Sequence, residues 1–136
     1  MPDAPYRVAH VSEIVTPEEA EPGTAGWRAT RIHFGIRSFG IGAYVAESAG
    51  DVLSSDHTES DTGHEELFFV ASGHAAFRID GETVDAPAGT FVYVPDPAAR
   101  RGASALEAGT TLLAIGGEPG KAFAVSPWEQ EYVDGS

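Results

Sequence analysis

Short apolar runs, broken at fairly regular intervals by glycine and proline, fill the centre of this chain. That rhythm predicts an all-β sandwich or barrel. The clearest run is His64-Glu65-Glu66-Leu67-Phe68-Phe69-Val70, closing at Gly73. As a strand it places Glu66, Phe68 and Val70 on one face and Leu67 and Phe69 on the other. His74 to Ile79 predicts the next strand, and Asp80-Gly81 suits the tight turn that returns the chain through Glu82-Thr83-Val84-Asp85. Alternation sets His74 opposite Phe77 and Ile79, facing solvent. Pro87-Ala88-Gly89 turns into the strand Thr90 to Val94, which Pro95-Asp96-Pro97 ends because proline cannot donate to a ladder. Thr110 to Ile115 predicts another strand, closing on Gly116-Gly117. Upstream, Trp27 to Phe34 and Ile41 to Glu47 predict two more, while residues 48–63 read as a polar loop. Seven or eight strands suffice for a small closed barrel or a double-sheet jelly roll.

The flanks read differently. Residues 1–26 are polar, acidic and proline-containing, and are expected to form an arm. Residues 27–118 form the barrel, and residues 119–136 a tail. Thr16-Pro17-Glu18-Glu19 and Ser126-Pro127-Trp128-Glu129 each combine a hydroxyl cap, a proline and a glutamate, so each predicts a short flanking helix.

Composition narrows the partners. The length fits one domain with a real core. Twenty-one acidic residues against eight basic ones leave a formal charge of -13, which repels nucleic acid and anionic lipid, so neither is an expected partner. With no cysteine there is no disulfide, thiolate zinc site or thiol nucleophile. The first ten residues hold no long apolar run and no segment is apolar enough to span a bilayer, so the expected compartment is the cytoplasm. A Gly-x-Ser-x-Gly elbow and a phosphate-binding glycine loop with its lysine are both missing from the sequence.

Three stretches together carry a family resemblance: Glu66 to Gly73, the hairpin through Asp80-Gly81-Glu82, and Pro87-Ala88-Gly89-Thr90-Phe91-Val92-Tyr93-Val94-Pro95. Over residues 40–116 the chain resembles the cupins, which implies an antiparallel cupin barrel. That family's first motif runs from a glycine through His-x-His to a glutamate and then a glycine, and Glu66 and Gly73 match the last two. The second motif runs from Pro-x-Gly through a strand to a proline and then a histidine, and Pro87, Gly89 and Pro95 match its first part. The places of the paired histidines hold Ser60 and Thr62, and the last histidine falls at Arg100. Arginine has no lone pair to give a metal.

The resemblance implies that Glu66 faces the barrel interior, and His64, two positions away, then shares its face. With His57 from the preceding loop they make a candidate set for one divalent zinc, iron or manganese ion. In the opposing reading Glu66 is a buried carboxylate paired with Arg100 or bonded to a tyrosine, and His57 is solvated. Arg100 either clamps a ligand carboxylate or phosphate at the barrel mouth or balances neighbouring acids. His33 either points into the pocket or is satisfied by a backbone carbonyl.

Three functions therefore stay open. The first is binding of a small organic molecule in the cavity through Arg100, His33 and Glu66, without a certain cofactor. The second is a metal-assisted isomerase, cyclase, lyase or oxygenase using His57, His64 and Glu66, and the third is a structural dimerisation domain. A homodimer is expected, with the arm or the tail bearing Phe123 and Trp128 covering a neighbour.

Overall fold

Alternation along the central run places Phe68 and Val70 in the core with no exposure, while Leu67 and Phe69 sit half-buried on the opposite face. The computed structural model describes residues 5–14, 26–127 and 129. Its strands are β1 (Trp27–Arg28), β2 (Gly40–Val45), β3 (Val52–His57), β4 (Glu65–Ser72), β5 (His74–Ile79), β6 (Glu82–Pro87), β7 (Phe91–Val94), β8 (Arg101–Ala105) and β9 (Thr111–Gly117). The α-helix described from end to end is α1 (Thr30–Phe34). Five strands form one sheet in the order β1-β2-β9-β4-β7, and four form the second in the order β3-β8-β5-β6. All neighbours pair antiparallel. The result is the all-β double-sheet jelly roll that the spacing predicts.

Three segments differ from the sequence expectation. Trp27 to Phe34 is not one strand: two residues pair with β2 and then Thr30–Phe34 coils into a helix. Gly35, left-handed at φ 69°, ends that helix by donating its N–H to the last-turn carbonyls of Arg31 and Ile32. The polar stretch 48–63 contains β3, an edge strand whose Leu53 is fully buried. The stretch after Pro97 contains β8, with the sequence Arg-Gly-Ala-Ser-Ala. Small residues read as a loop, but here they suit a packed strand because aromatic residues fill the space opposite. Phe68 and Phe77 meet edge-to-face at 5.1 Å between the sheets. Ala75, Ala103 and Ala105 are buried around them.

Register orders the inner face of the five-stranded sheet into rungs. Tyr44, Leu112 and Val70 align, then Gly42, Ala114, Phe68 and Val92, then Gly40, Gly116, Glu66 and Val94. In the second sheet the matching end rung is His57, Arg101 and Ile79. One end of the sandwich is thus apolar, whereas the other loses side chains at Gly40 and Gly116 and gains charges at Glu66, His57 and Arg101. On the outer face the edge strand β7 exposes Phe91 and Tyr93.

Pro127 and Glu129 are helical, and Glu129 is buried. The Thr16–Glu19 helix start and Trp128 lie outside the described residues. No helix among the described residues is long and apolar enough to cross a membrane.

Candidate functional site

Glycine makes the room for the site. Gly40, Gly42, Ala114 and Gly116 put almost no volume on the inner face at the charged end, and a cavity of about 80 Å³ opens there. That is space for several waters or a small polar molecule. Trp27 and Phe123 close over the glycines: a Cβ at Gly42 would stand 3.3 Å from Trp27 Nε1, and one at Gly40 would stand 3.3 Å from the Phe123 ring. Tyr44, His64, Glu59, Glu66, Ser126 and Glu129 supply the polar lining.

The bulge between Ser54 and His57 in β3 aims His57 at this end. Gly102 permits it, since a Cβ there would stand only 3.1 Å from the Asp56 Cα. The Nδ1 of His57 lies 2.7 Å from the Ser55 carbonyl oxygen and therefore carries a proton. Its Nε2 lies 2.9 Å from Glu59 Oε2 and 3.8 Å from Glu66 Oε1. Thr62 donates its hydroxyl to the other oxygen of Glu59 at 2.8 Å. One oxygen or nitrogen each from His57, Glu59 and Glu66 lie within 4.8 Å of one another. His64 is buried beside them, with Nδ1 3.9 Å from Glu59 Oε1 and its ring 5.8 Å from that of Phe123.

Arg101 lies behind Glu66 with no solvent exposure. Its Nη1 donates to Glu66 Oε1 at 2.9 Å, its Nε to the Ala99 carbonyl at 2.9 Å, and its Nη2 to the Asp96 carbonyl at 2.8 Å. With all three nitrogens engaged, this guanidinium ties the β7–β8 loop to the site.

The charges respond to each other. The hydrogen bond to Glu59 holds His57 above its ordinary value of 6.5; burial opposes this, while the Ser55 carbonyl and Glu66 add to it. Burial pushes Glu59 up, but the hydrogen bonds from His57 and Thr62 outweigh it and leave the carboxyl below its ordinary value. Burial, then the nearby Glu59 charge, raises Glu66 in spite of Arg101. Burial raises the Tyr44 phenol strongly, and the charges of Glu66, Glu129 and Glu59 raise it further, so it stays protonated.

The signs of these shifts fix a stability window. Because His57 is raised on folding, its contribution is complete below 6.5 and is lost as pH climbs through the folded value. Because Glu59 is lowered, its contribution is complete above 4.5 and is lost as pH falls through the folded value. The pair therefore stabilises most between 4.5 and 6.5. The raised Glu66 acts against stability as pH rises through its own folded value. The ring resonances of His57 are expected to titrate with a midpoint above 6.5. In His57→Gln the stability profile above that pH should flatten, and an NMR midpoint at or below the ordinary histidine value would contradict the protonated pair.

The predicted site residues are placed as follows. His57 and Glu66 come together and His64 lies beside them, but the third residue of the close cluster is Glu59, not His64. Arg100 is not at the mouth: it is exposed and pairs with exposed Asp56 at 3.3 Å, while its neighbour Arg101 takes the partnership with Glu66. Adjacent strand residues face opposite ways, so a one-residue choice decides which arginine points inward. His33 is not in the pocket either. It rides on helix α1, exposed, edge-on to Phe34 at 4.9 Å. The residues the sequence reading missed are Glu59, Arg101 and Tyr44. His57-Thr58-Glu59 was a usable signal for the first, because the family's His-x-His spacing sets its ligands two apart; nothing in the sequence singled out the other two.

Comparison with known proteins fits this architecture. No protein-family model matches the chain, and no curated protein does. Among solved structures the chain is similar to a cupin protein from Bacteroides fragilis, at 18% identity and TM-score 0.60 over 82% of this chain and 90% of that one. It is also similar to KdgF from Halomonas sp., at 16% identity and TM-score 0.55 over 82% and 88%. An RmlC-like cupin from Desulfovibrio desulfuricans aligns at 21% identity and TM-score 0.50 over 59% and 72%. The fold is that of the cupins. One fold hosts many functions, so the site must carry the rest.

Proposed function

We propose that this protein binds a small organic molecule in the cavity at the charged end of its cupin barrel, anchored by Glu59, Glu66, His64 and Tyr44. One observation carries the reading. At this end the inner-face rung holds Gly40 and Gly116 where side chains would otherwise fill the core, and ionisable groups line the space that results. A metabolite library screened by thermal shift tests it. At least one compound should stabilise the protein, by about 2.7 kcal/mol when present at 100 times its Kd. Ala114→Leu, which fills the cavity, should abolish that stabilisation. Equal stabilisation of both proteins would place the ligand elsewhere.

A second reading, a divalent metal on His57, Glu59 and Glu66, has its own support. The Nδ1–H of His57 is fixed on a backbone carbonyl, which presents Nε2 as a ligating atom, and two carboxylates converge on it. One nitrogen and two oxygens suit zinc, iron or manganese. When bound, such an ion polarises a substrate oxygen or activates water. Glu66 stays tied to Arg101 through Oε1, the oxygen that also lies 3.8 Å from His57 Nε2. Protein purified without chelator or affinity nickel should then carry up to one ion per chain, and loading should release protons, because His57 must give up its Nε2 proton. His57→Ala should lower metal content at least about tenfold, a change of 1.4 kcal/mol. Protein from metal-supplemented medium with no bound ion would end this reading.

The third expectation, self-association, is supported by the exposed Phe91 and Tyr93 of edge strand β7. Light scattering should give twice the chain mass, and Phe91→Lys should shift it towards the monomer. A monomer at all micromolar concentrations would defeat it.

A further inference from the structure

Resting on the reading that the cavity takes a small organic molecule, we infer that its ligand is a small organic cation, an amine or ammonium compound. The cavity holds it among inward-facing carboxylates and aromatic walls. Glu59, Glu66 and Glu129 line the cavity, and none of the described lining residues is arginine or lysine. Each carboxylate is held by a basic side chain, and that side chain stands outside the lining. Glu59 pairs with His57 at 2.9 Å, Glu66 with Arg101 at 2.9 Å, and Glu129 with Arg31 at 2.5 Å. The three carboxylate residues therefore share the lining with no arginine or lysine.

An anionic ligand would meet three carboxylates and no fixed cation. A ligand ammonium would meet acceptors on several sides, in surroundings where charge is poorly screened. The walls suit the same guest. Trp27, Tyr44 and Phe123 line the cavity, and the faces of aromatic rings attract cations. Phe123 already lies beneath one guanidinium, with Arg31 Cζ 6.0 Å from its ring centre. Burial raises the Tyr44 phenol most, and the charges of Glu66, Glu129 and Glu59 add to it.

The cations behind the pairs are not free to turn inward. Arg101 is held on three acceptors. Arg31 is held by Glu129 and the Ile36 carbonyl, and only its Nη2 is without a hydrogen-bond partner. Tyr44, His64 and Ser126 in the lining can also donate hydrogen bonds, so anions belong in the test.

Chelator-treated full-length protein is titrated calorimetrically with ethylammonium, choline and tetramethylammonium. Propionate and pivalate serve as anions of similar shape, and propanol and tert-butanol as neutral molecules. The ammonium probes should bind at least about tenfold more tightly than the matched anions and alcohols, a difference of 1.4 kcal/mol. Phe123→Leu should weaken the ammonium probes several-fold, and Phe123→Tyr should restore them. Propionate or pivalate binding as tightly as the ammonium probes overturns the cation assignment and leaves the cavity reading standing. So does binding of library compounds, lost in Ala114→Leu, when no ammonium probe binds. If neither the probes nor the library bind, the cavity reading itself falls, and this inference with it.

Discussion

Replacing Arg101 by methionine is expected to destabilise the fold by about 3–5 kcal/mol at neutral pH, because it leaves one partner of a buried ion pair without the other. Arg101 has no exposure and Glu66 little, so water cannot take over the lost interaction. The substitution also strips the Ala99 and Asp96 carbonyls of their donor. Chemical denaturation measures the loss. Two further results separate a charge effect from a packing effect. The deficit should shrink as pH falls, since a Glu66 already raised by burial will protonate more readily without its arginine. In addition, Arg101→Met combined with Glu66→Leu should recover much of the stability, because an apolar pair of similar volume often replaces a buried ion pair without loss. A single variant within about 1 kcal/mol of the parent would show that the pair is not buried in solution.

Gly73→Ala should be nearly as damaging, for a reason of space and backbone. Gly73 joins β4 of one sheet to β5 of the other at φ 79°. A Cβ there would stand 2.4 Å from Thr110 Oγ1 and 2.6 Å from the Thr110 Cα. Thr110 cannot yield easily: it is fully buried, its hydroxyl accepts the His74 N–H at 3.1 Å, and it donates to the Glu107 carbonyl at 2.7 Å. The left-handed backbone costs about 1–2 kcal/mol for a residue with a Cβ. Forcing the contact costs about 1–3 kcal/mol more. Gly81 is the control, since it too is left-handed, at φ 85°, but a Cβ there meets nothing within 4 Å. Gly81→Asn should stay within about 1 kcal/mol, asparagine being the side chain that best tolerates that backbone. Equal losses at both positions would refute the steric account.

The same contrast explains what was legible in the sequence. The run from Glu66 to Gly73 announces itself, because bulky residues alternate over a whole strand and end in a glycine that the backbone requires. The Asp80-Gly81 hairpin is equally clear, with both residues left-handed. β8 was hidden because Gly102, Ala103, Ser104 and Ala105 are small, and small residues mark a loop as readily as a strand facing large neighbours. The helix Thr30–Phe34 was hidden because its isoleucine and phenylalanine favour strands in isolation, and only a missing partner strand and Gly35 decide otherwise. For the site, Glu66 was legible through motif spacing, whereas His57 stood out only as a histidine in the loop before it. Arg101 was not, since nothing local distinguishes it from Arg100, and its direction depends on the register of β8 against β5.

The glycine rung has a consequence for how such a barrel diverges. Most binding sites change their guest by rebuilding loops, but here the chamber is bounded by strand residues that carry little or no side chain. Its size can therefore drift by one methyl group at a time, at Gly42 or Ala114, while every turn and every ladder stays as it is. Gly116 lacks that freedom, because a Cβ there would press on the Glu65 carbonyl at 3.0 Å. Homologues that take different guests should vary at positions 42 and 114 and agree at 116, so that ancestry is read at one position and diet at the other two.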